Sequence, residues 1–219
     1  MLEFLNSGYL LKELNNTFIT FIPKVDSPSN TAYCRPISLY NAIYKIGSKV
    51  LVNRLKLFMN SLVSPFQNGF VHGRGIQDNI IMAQELTHTI RTSKCKKIEL
   101  ATIKIDMSKA FDIIKWDFLI KLLETIGFPG HWINLIKECV TIVVYLVIVN
   151  GQVSKTFKPS CGLRQGDLRS PILFSLYTEA LSSSLQFHQD QGNLKGIGLA
   201  RNGSIFMHLD NESLKLLML

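Results

Sequence analysis

Apolar residues in this chain alternate between short β-branched runs and longer stretches at helical spacing. Residues 17–23 (TFITFIP) are rich in β-branched and aromatic side chains and stop at a proline, which predicts a strand followed by a loop. Across residues 38–63, apolar side chains recur every three to five positions, which is typical of a helix with Ser38 as its N-cap. Residues 76–90 repeat this spacing and predict a second helix.

In the middle of the chain, an apolar run ends at a carboxylate and two helical patterns follow. The run of residues 103–105 stops at Asp106, which predicts a strand with Asp106 at its end. A helix is expected over residues 116–126, closed by Gly127, and another over residues 131–140.

The last third of the chain predicts a hairpin and a long helix. The apolar run of residues 140–149 predicts a buried strand, and Asn150 and Gly151 after it are the strongest short signal for a hairpin turn. Ser170 and Pro171 have the N-cap and first-turn chemistry of a helix start. The amphipathic pattern that follows predicts a helix to about residue 187.

Composition adds an expected partner. The 219 residues are 47% hydrophobic, which is enough for a buried core in one large domain or two small ones. The formal net charge is +8 and the sequence pI is about 9.4, which favours an anionic partner, most simply a nucleic acid. Charge alone leaves other anionic partners open.

The cysteines and the apolar segments exclude several protein classes. Cys34, Cys95, Cys139 and Cys161 show no zinc-ligand spacing and no disulfide framework. Charged residues interrupt the N-terminus, so it does not resemble a secretory signal, and residues 140–149 are too few to cross a bilayer. We therefore expect an intracellular protein without zinc or a membrane anchor; the choice between nucleus and cytoplasm stays open.

Residues 103–112 (IKIDMSKAFD) carry the first chemical signal. An aspartate at the end of a rigid strand suits Mg²⁺, which takes a few carboxylate oxygens and fills its other positions with water and phosphate oxygens. Asp106 is therefore a candidate metal ligand. Taken alone, Asp106 equally fits a turn-capping aspartate, Phe111 a core aromatic, and Asp112 an N-cap for the helix near Trp116.

The second signal is a polar loop flanked by glycines, residues 162–167 (GLRQGD), which leads to Ser170 and Pro171. Together with residues 103–112, it resembles the core blocks of reverse transcriptases, specifically those of LINE-type non-LTR retrotransposons. Further matches occur, in order, at residues 16–24, 35–39, 44–55, 67–79, 127–132 and 149–160. The resemblance therefore covers nearly the whole chain.

The resemblance implies an α+β fold: a polymerase fingers-and-palm fragment whose antiparallel palm sheet is backed by helices. The fingers would occupy residues 1–98 and the palm residues 99–219. We also expect that a thumb is absent, because the chain stops shortly after the third block. A viral RNA-dependent RNA polymerase is a more distant alternative, since such enzymes usually carry a smaller or hydrogen-bonding residue where Phe111 stands.

The resemblance also assigns roles to individual residues. Asp106 would bind both catalytic metal ions, two Mg²⁺ or Mn²⁺ in the family. Phe111 would lie under the sugar and select deoxynucleotides, and the backbone at Lys109 and Ala110 would face the triphosphate. The remaining nucleotide-binding candidates, which come from the fingers and the glycine-flanked loop, are Arg35, Arg74, Gln165 and Gly166. Arg35 resembles the finger arginine that contacts the triphosphate, and Lys24 and Arg74 are weaker candidates. For all three, an ordinary solvated side chain remains an alternative.

The third block departs from the family. Reverse transcriptases place an aspartate pair on a tight hairpin, usually followed by Ser-Leu. Aligned on Ser213 and Leu214, that pair falls on Asn211 and Glu212, with Asp210 just before it. Asparagine is neutral and cannot offset the charge of metal ions as a carboxylate does. We therefore expect impaired catalysis.

Two further points qualify that expectation. A one-residue slip, absorbed by a bulge, would put Asp210 in the first metal-binding place, so Asp210 and Glu212 stay candidate ligands beside Asp106. Leu168 and Arg169 stand where the family usually has Pro-Leu, which suggests relaxed constraint and a positive charge near an apolar position.

Three functional hypotheses follow from these features. The first is an RNA-directed DNA polymerase domain of a retroelement, with an RNA template, a DNA primer and a deoxynucleoside triphosphate (dNTP) as partners. The second is a non-catalytic binder of RNA or primer-template. The third is the product of a decayed pseudogene copy. Sequence alone sets no oligomeric state.

Overall fold

The structure is a computed structural model that describes residues 1–92, 103–107, 109–194, 207–209 and 215–218. Its α-helices are α1 (Leu2–Ser7), α2 (Ala42–Lys56), α3 (Met59–Leu62), α4 (Ile76–Thr92), α5 (Trp116–Ile126), α6 (Gly130–Thr141) and α7 (Ser170–Asp190). Its strands are β1 (Asn16–Pro23), β2 (Cys34–Tyr40), β3 (Ile103–Asp106), β4 (Val144–Val149), β5 (Gln152–Val153), β6 (Met207–Leu209) and β7 (Lys215–Met218). Short 3₁₀ turns occupy Lys12–Asn15 and Thr31–Tyr33. The fold is α+β.

One compact unit comprises Met1–Leu55 and Phe111–Pro171. Its sheet has the strand order β2-β1-β4-β5, with β1 antiparallel to β2 and parallel to β4, so the sheet is mixed. The β4–β5 hairpin turns through Asn150 and Gly151, whose φ angles of 50° and 76° are those of the tight turn that their sequence predicts.

Helices α5 and α6, which pack against each other, contribute part of the apolar core of this unit, together with α2. Leu119 and Leu123 of α5 are fully buried, four residues apart on one helix face. Ile136 of α6 is also fully buried. Gly127 ends α5 with a φ of 94°, and its N–H bonds back to the last helical turn, as the sequence predicts for a glycine cap.

The second compact unit comprises Lys56–Ala110 and Ile172–Leu219. Its sheet has the order β3-β7-β6 with antiparallel pairing throughout. Asp106, the last residue of β3, lies opposite Lys215, the first residue of β7. Leu86 of α4 and Phe174 and Leu176 of α7 are buried in this unit.

Several predicted elements are confirmed. Strand β1, helices α4, α5 and α6, the hairpin and the start of α7 at Ser170 lie where the pattern of the sequence places them. The proposed boundary between fingers and palm at residues 98 and 99 stays a prediction. The two compact units do not correspond to it, because each takes segments from both sides of that boundary. Within the described residues, none of the helices combines the length and apolarity that a bilayer crossing needs.

Several features differ from the prediction. The helix expected over residues 38–63 is divided into α2 and α3, and the strand expected to be buried, β4, is half-buried. The expected loop and helix start at residues 34–41 are in fact strand β2, in which Ser38 pairs with Ile19 and caps nothing. The helix begins at Ala42, and the Asn41 side chain accepts a hydrogen bond from the N–H of Ile43 at 2.8 Å. The apolar run of residues 140–149 is divided, because its first two residues complete α6 and the strand starts at Val144.

Candidate functional site

Backbone hydrogen bonds join the segment after β3 to the glycine-flanked loop. The N–H of Leu163 donates to the carbonyl of Phe111, and the N–H of Gly162 donates to the carbonyl of Ile114, each at 2.7 Å. The indole N–H of Trp116 donates to the carbonyl of Gly162, also at 2.7 Å. The end of the first sequence motif and the start of the second therefore lie side by side in the first unit.

Gly162 permits this close approach. Its φ is 95°, and a Cβ atom there would lie 3.0 Å from the carbonyl oxygen of Asp112 and 3.2 Å from that of Phe111. Both obstacles are backbone atoms, which cannot move aside as a flexible side chain can. Only glycine satisfies the backbone conformation and the contact together.

A cleft of about 200 Å³ opens beside this junction. Its lining combines apolar side chains with a few polar ones, namely Ile19, Pro36, Ser38, Asp112, Tyr145, Pro159, Cys161, Gly162, Leu163 and Gln165. The Gln165 side-chain nitrogen donates to the Asp112 carboxylate at 3.2 Å. An apolar cleft with a few convergent polar groups is the usual form of a small-molecule site.

Asp112 does not cap helix α5. That helix starts at Trp116, its preceding residue is Lys115, and no side chain caps it. The capping alternative for Asp112 is therefore wrong, and its carboxylate instead accepts from Gln165.

Gly166 follows Gln165 with its backbone exposed. Its φ is 95°, and its carbonyl accepts a hydrogen bond from the Tyr40 hydroxyl at 3.0 Å. Within the described part of the chain, a Cβ atom at Gly166 would meet only the Ser38 carbonyl, at 3.8 Å. The loop is thus fixed to β2 on one side and open on the other, where a ligand can approach the backbone.

A buried ion pair anchors the end of this loop. A guanidinium nitrogen of Arg169 lies 2.5 Å from a carboxylate oxygen of Asp167, and each side chain is only 3% exposed. The Ser48 hydroxyl donates to Asp167 at 2.6 Å, and the Tyr44 hydroxyl donates to it at 3.2 Å. Arg169 also donates to the Tyr44 hydroxyl. These bonds join the loop to helix α2.

The placement of Arg169 corrects the expectation of a positive charge near an apolar position, whereas relaxed constraint at this position stays a prediction. Its charge is not set against an apolar surface, because Asp167 neutralises it and Tyr44 accepts one of its hydrogen bonds. The sequence offered no sign of this, since Tyr44 and Ser48 are more than a hundred residues away in the chain.

Burial and charge shift the pKa values in this cluster. Burial alone would raise the pKa of Asp167, but the Arg169 guanidinium and the hydrogen bonds from Arg169 and Ser48 outweigh it and hold that pKa well below its ordinary value. Burial raises the pKa of the Tyr44 hydroxyl well above its usual range, with Arg169 opposing the shift. Asp167 is therefore ionised, and Tyr44 neutral, at neutral pH.

Arg164 is a further buried cation of the loop. Its guanidinium donates to the Asn15 side-chain oxygen at 2.5 Å and lies over the rings of Tyr44 and Tyr40, 4.5 and 5.0 Å from their centroids. Nothing in the sequence pattern assigned a role to this residue or to the two tyrosines. Their proximity follows from the pairing of distant segments.

The candidate arginines differ in their surroundings. Arg35 pairs with Ile22 in the β1–β2 ladder, but its exposed side chain makes no hydrogen bond or ion pair with the described part of the chain. Arg74 donates to the backbone carbonyls of Asn60, Ser64 and Gln67 and to the Asn60 side chain, at 2.6 to 3.2 Å. These bonds give Arg74 a structural role in its loop, whereas Arg35 is available to a ligand.

The residues after β3 have an unusual backbone. Lys109 is exposed and has a φ of 53°, a left-handed conformation that non-glycine residues seldom adopt. Ala110 is 3% exposed, and Phe111 is half-buried. The chain thus leaves the strand of Asp106 through a tight turn whose backbone at Lys109 is accessible.

The acidic candidates Asp210, Asn211 and Glu212 lie outside the described residues. The chain that contains them connects Leu209, the end of β6, with Lys215, the start of β7. Since Lys215 is paired with Asp106, the connection begins and ends at the same end of the sheet as Asp106. Among the described residues, no group of three or more metal-binding side chains occurs.

Comparison with known proteins gives a consistent result. A family model described as "Reverse transcriptase (RNA-dependent DNA polymerase)" matches residues 22–199. The chain is 29% identical over 177 residues to a transposon TX1 uncharacterized 149 kDa protein of Xenopus laevis. It is 29% identical over 166 residues to the Pol polyprotein of the type-2 retrotransposable element R2DM of Drosophila melanogaster.

These matches span most of this chain but only a small part of each relative. They cover 81% and 75% of this chain but only 13% and 15% of the two relatives. Among solved structures, apo telomerase from Candida tropicalis, truncated from its C-terminal domain, aligns with a TM-score of 0.59 at 16% identity, over 96% of this chain and 44% of that one. This likeness shows a shared fold and nothing finer.

Proposed function

The chain belongs to the reverse transcriptase family, and on that premise we propose that it forms the nucleotide-adding region of a retroelement RNA-directed DNA polymerase. The observation that carries the proposal is the cleft at the junction of the two motifs, into which Asp112, Gln165 and the backbone of Gly162 face. Its partners would be an RNA template, a DNA primer and a dNTP. The finer division into fingers (1–98) and an antiparallel palm (99–219) belongs to the same proposal.

The reaction joins two nucleotides. The primer 3′-hydroxyl loses its proton to solvent as its oxygen forms a bond to the α-phosphorus of the dNTP. The bond from that phosphorus to the bridging oxygen breaks, and pyrophosphate leaves. The chain contributes mainly positioning. The open backbone at Gly166 allows the nucleotide to approach, the half-buried ring of Phe111 would disfavour a 2′-hydroxyl, and Arg35 offers an uncommitted cation to the triphosphate.

The acidic residues suit a divalent ion. Asp106, Asp210 and Glu212 would hold Mg²⁺ or Mn²⁺, since carboxylate oxygens are the ligands that these hard cations prefer. Support comes from the end of β3, where Asp106 pairs with the first residue after the segment that contains Asp210 and Glu212. When bound, the ions supply charge neutralisation at the phosphates and a lower pKa for the attacking hydroxyl.

One substitution favours a second candidate function. Asn211 and Glu212 stand where the family carries two aspartates, so the chain would bind template and primer while adding nucleotides slowly or not at all. Basic residues along α2, exposed at Lys45, Lys49 and Arg54, would support such binding through phosphate contacts.

Primer extension separates the two functions. The 219-residue chain is incubated with an RNA template, a labelled DNA primer and dNTPs in Mg²⁺ or Mn²⁺. The polymerase proposal expects extension that Asp106→Ala abolishes and that Asp117→Ala, an exposed carboxylate on α5, leaves unchanged. Salt-sensitive binding without extension would favour the non-catalytic binder, and the absence of binding at low salt would overturn both.

A further inference from the structure

The contact between Gln165 and Asp112 fixes both the position and the orientation of the Gln165 side-chain amide. The two side chains line one cleft and meet at 3.2 Å between the amide nitrogen of Gln165 and a carboxylate oxygen of Asp112. An ionised carboxylate can only accept hydrogen bonds, whereas an amide offers a donor end and an acceptor end. The NH₂ group of Gln165 must therefore face Asp112, and within the described residues this leaves its oxygen Oε1 as an acceptor directed away from that carboxylate.

The backbone around this pair is held firmly. The Asp112 carbonyl accepts from the Cys161 thiol at 3.3 Å, and hydrogen bonds at 2.7 Å on either side of Asp112 join Phe111 to Leu163 and Ile114 to Gly162. The two side chains thus start from segments whose separation is set by the main chain. A pair anchored in this way keeps one geometry without a large loss of side-chain entropy on ligand binding.

We propose that Asp112 is a positioning residue that orients the Gln165 amide, so that Oε1 is presented as a hydrogen-bond acceptor to a hydroxyl or amino group of the bound nucleotide. The identity of this ligand rests on the proposed function, but the orientation of the amide does not. In the described part of the chain, Gln165 is the hydrogen-bonding partner of the Asp112 carboxylate, so no competing structural role accounts for that side chain.

The substitution Asp112→Asn isolates the orientation. An asparagine side chain has nearly the same size as that of aspartate, but it could donate to Oε1 as readily as it accepts from the NH₂ group. The Gln165 amide would then occupy both orientations. Asp117→Asn makes the same chemical change at an exposed carboxylate on α5 and serves as the matched control.

The decisive readout is the side-chain amide resonance of Gln165 in a ¹⁵N-glutamine-labelled chain, assigned by its loss in Gln165→Met. In the wild type, a single orientation of the amide should give one sharp pair of NH₂ resonances. In Asp112→Asn this pair should shift and broaden as the amide exchanges between two orientations, and in Asp117→Asn it should stay as in the wild type. A Gln165 resonance that is unchanged by the Asp112 substitution would overturn the inference.

The affinity of the chain for dNTP provides a functional test of the same inference. Asp112→Asn should weaken dNTP binding by about two- to tenfold, the range expected when one neutral hydrogen bond is compromised, with an unchanged thermal unfolding profile. Unaltered dNTP affinity would contradict the role of Oε1. If the wild type binds no dNTP but the Gln165 amide resonance changes in Asp112→Asn, the proposed function fails and the inferred orientation of the amide stands.

Discussion

The backbone N–H of Leu163 donates to the carbonyl of Phe111 at 2.7 Å, and this bond joins the end of the first motif to the start of the second within the first unit. Gly162 and Trp116 reinforce the junction on either side. Sequence similarity alone would not require these motifs to touch. Their contact explains why the loop tolerates no side chain at its first glycine.

Gly162 and Gly166 allow steric contact to be separated from backbone strain. Both have a φ of 95°, so an alanine at either position adopts the same unfavourable conformation, at a cost of about 1 to 2 kcal/mol. Only Gly162→Ala also drives a Cβ atom to 3.0 Å from the Asp112 carbonyl. Urea unfolding should show Gly162→Ala to be less stable than Gly166→Ala by about 1 to 3 kcal/mol. Equal losses would mean that the close approach is relieved elsewhere.

The buried ion pair makes stability depend on pH in a defined direction. The pKa of Asp167 in the folded chain lies below its ordinary value of 3.8. Its contribution to stability is therefore fully present above that value and is lost as the pH falls through the lower folded pKa. Replacing Arg169 by leucine removes the attraction, so burial should then raise the pKa of Asp167 instead.

Arg169→Leu should accordingly destabilise the chain by about 3 to 5 kcal/mol at neutral pH, because it leaves a buried charge without its partner. The difference from the wild type should shrink as the pH is lowered from about 7 to about 3, where Asp167 becomes neutral in the variant. Arg54→Leu, which removes an exposed charge from α2, controls for net charge. A loss that is independent of pH would show that Asp167 and Arg169 are not coupled.

Substitutions of Lys109 test whether the backbone of the turn after Asp106 is strained. Its left-handed backbone is disfavoured for any residue with a Cβ atom, and glycine relieves this. Lys109→Gly should therefore be more stable than Lys109→Ala by up to about 1 kcal/mol, because both variants remove the charge and only one removes the strain. Chemical denaturation of the pair measures this difference, and a more stable alanine variant would refute it.

Local signals in the sequence were sufficient for some elements of the fold. Asn150 and Gly151 specify their turn through backbone angles that few residues adopt, and Gly127 ends α5 for the same reason. Strand β2 was missed because its pairing with β1 is not local, as in the register of Leu39 with Phe18. Leu39 also fitted the helical spacing, so periodicity assigned it to the wrong element.

The candidate site was only partly visible in the sequence. The resemblance pointed to Gln165 and Gly166, but the partners of the loop, Tyr40 and Asp112, emerge only when β2 and the segment after β3 are placed beside it. The sequence predicted that Arg169 places a charge near an apolar position, because its contacts with Asp167 and Tyr44 are seen only in the folded chain.

Restoring the aspartate pair tests the central claim most directly. The claim is that Asp106 and the acidic connection between β6 and β7 form a polymerase metal site that Asn211 has weakened. In primer extension on an RNA template with Mg²⁺, the chain carrying Asn211→Asp and Glu212→Asp should add nucleotides faster than the wild type, by about tenfold or more if the neutral ligand costs at least about 1.4 kcal/mol in the transition state. Asp106→Ala in the same background should abolish the gain. A restored pair that adds no more nucleotide than the wild type, or one whose activity survives the loss of Asp106, would contradict the account.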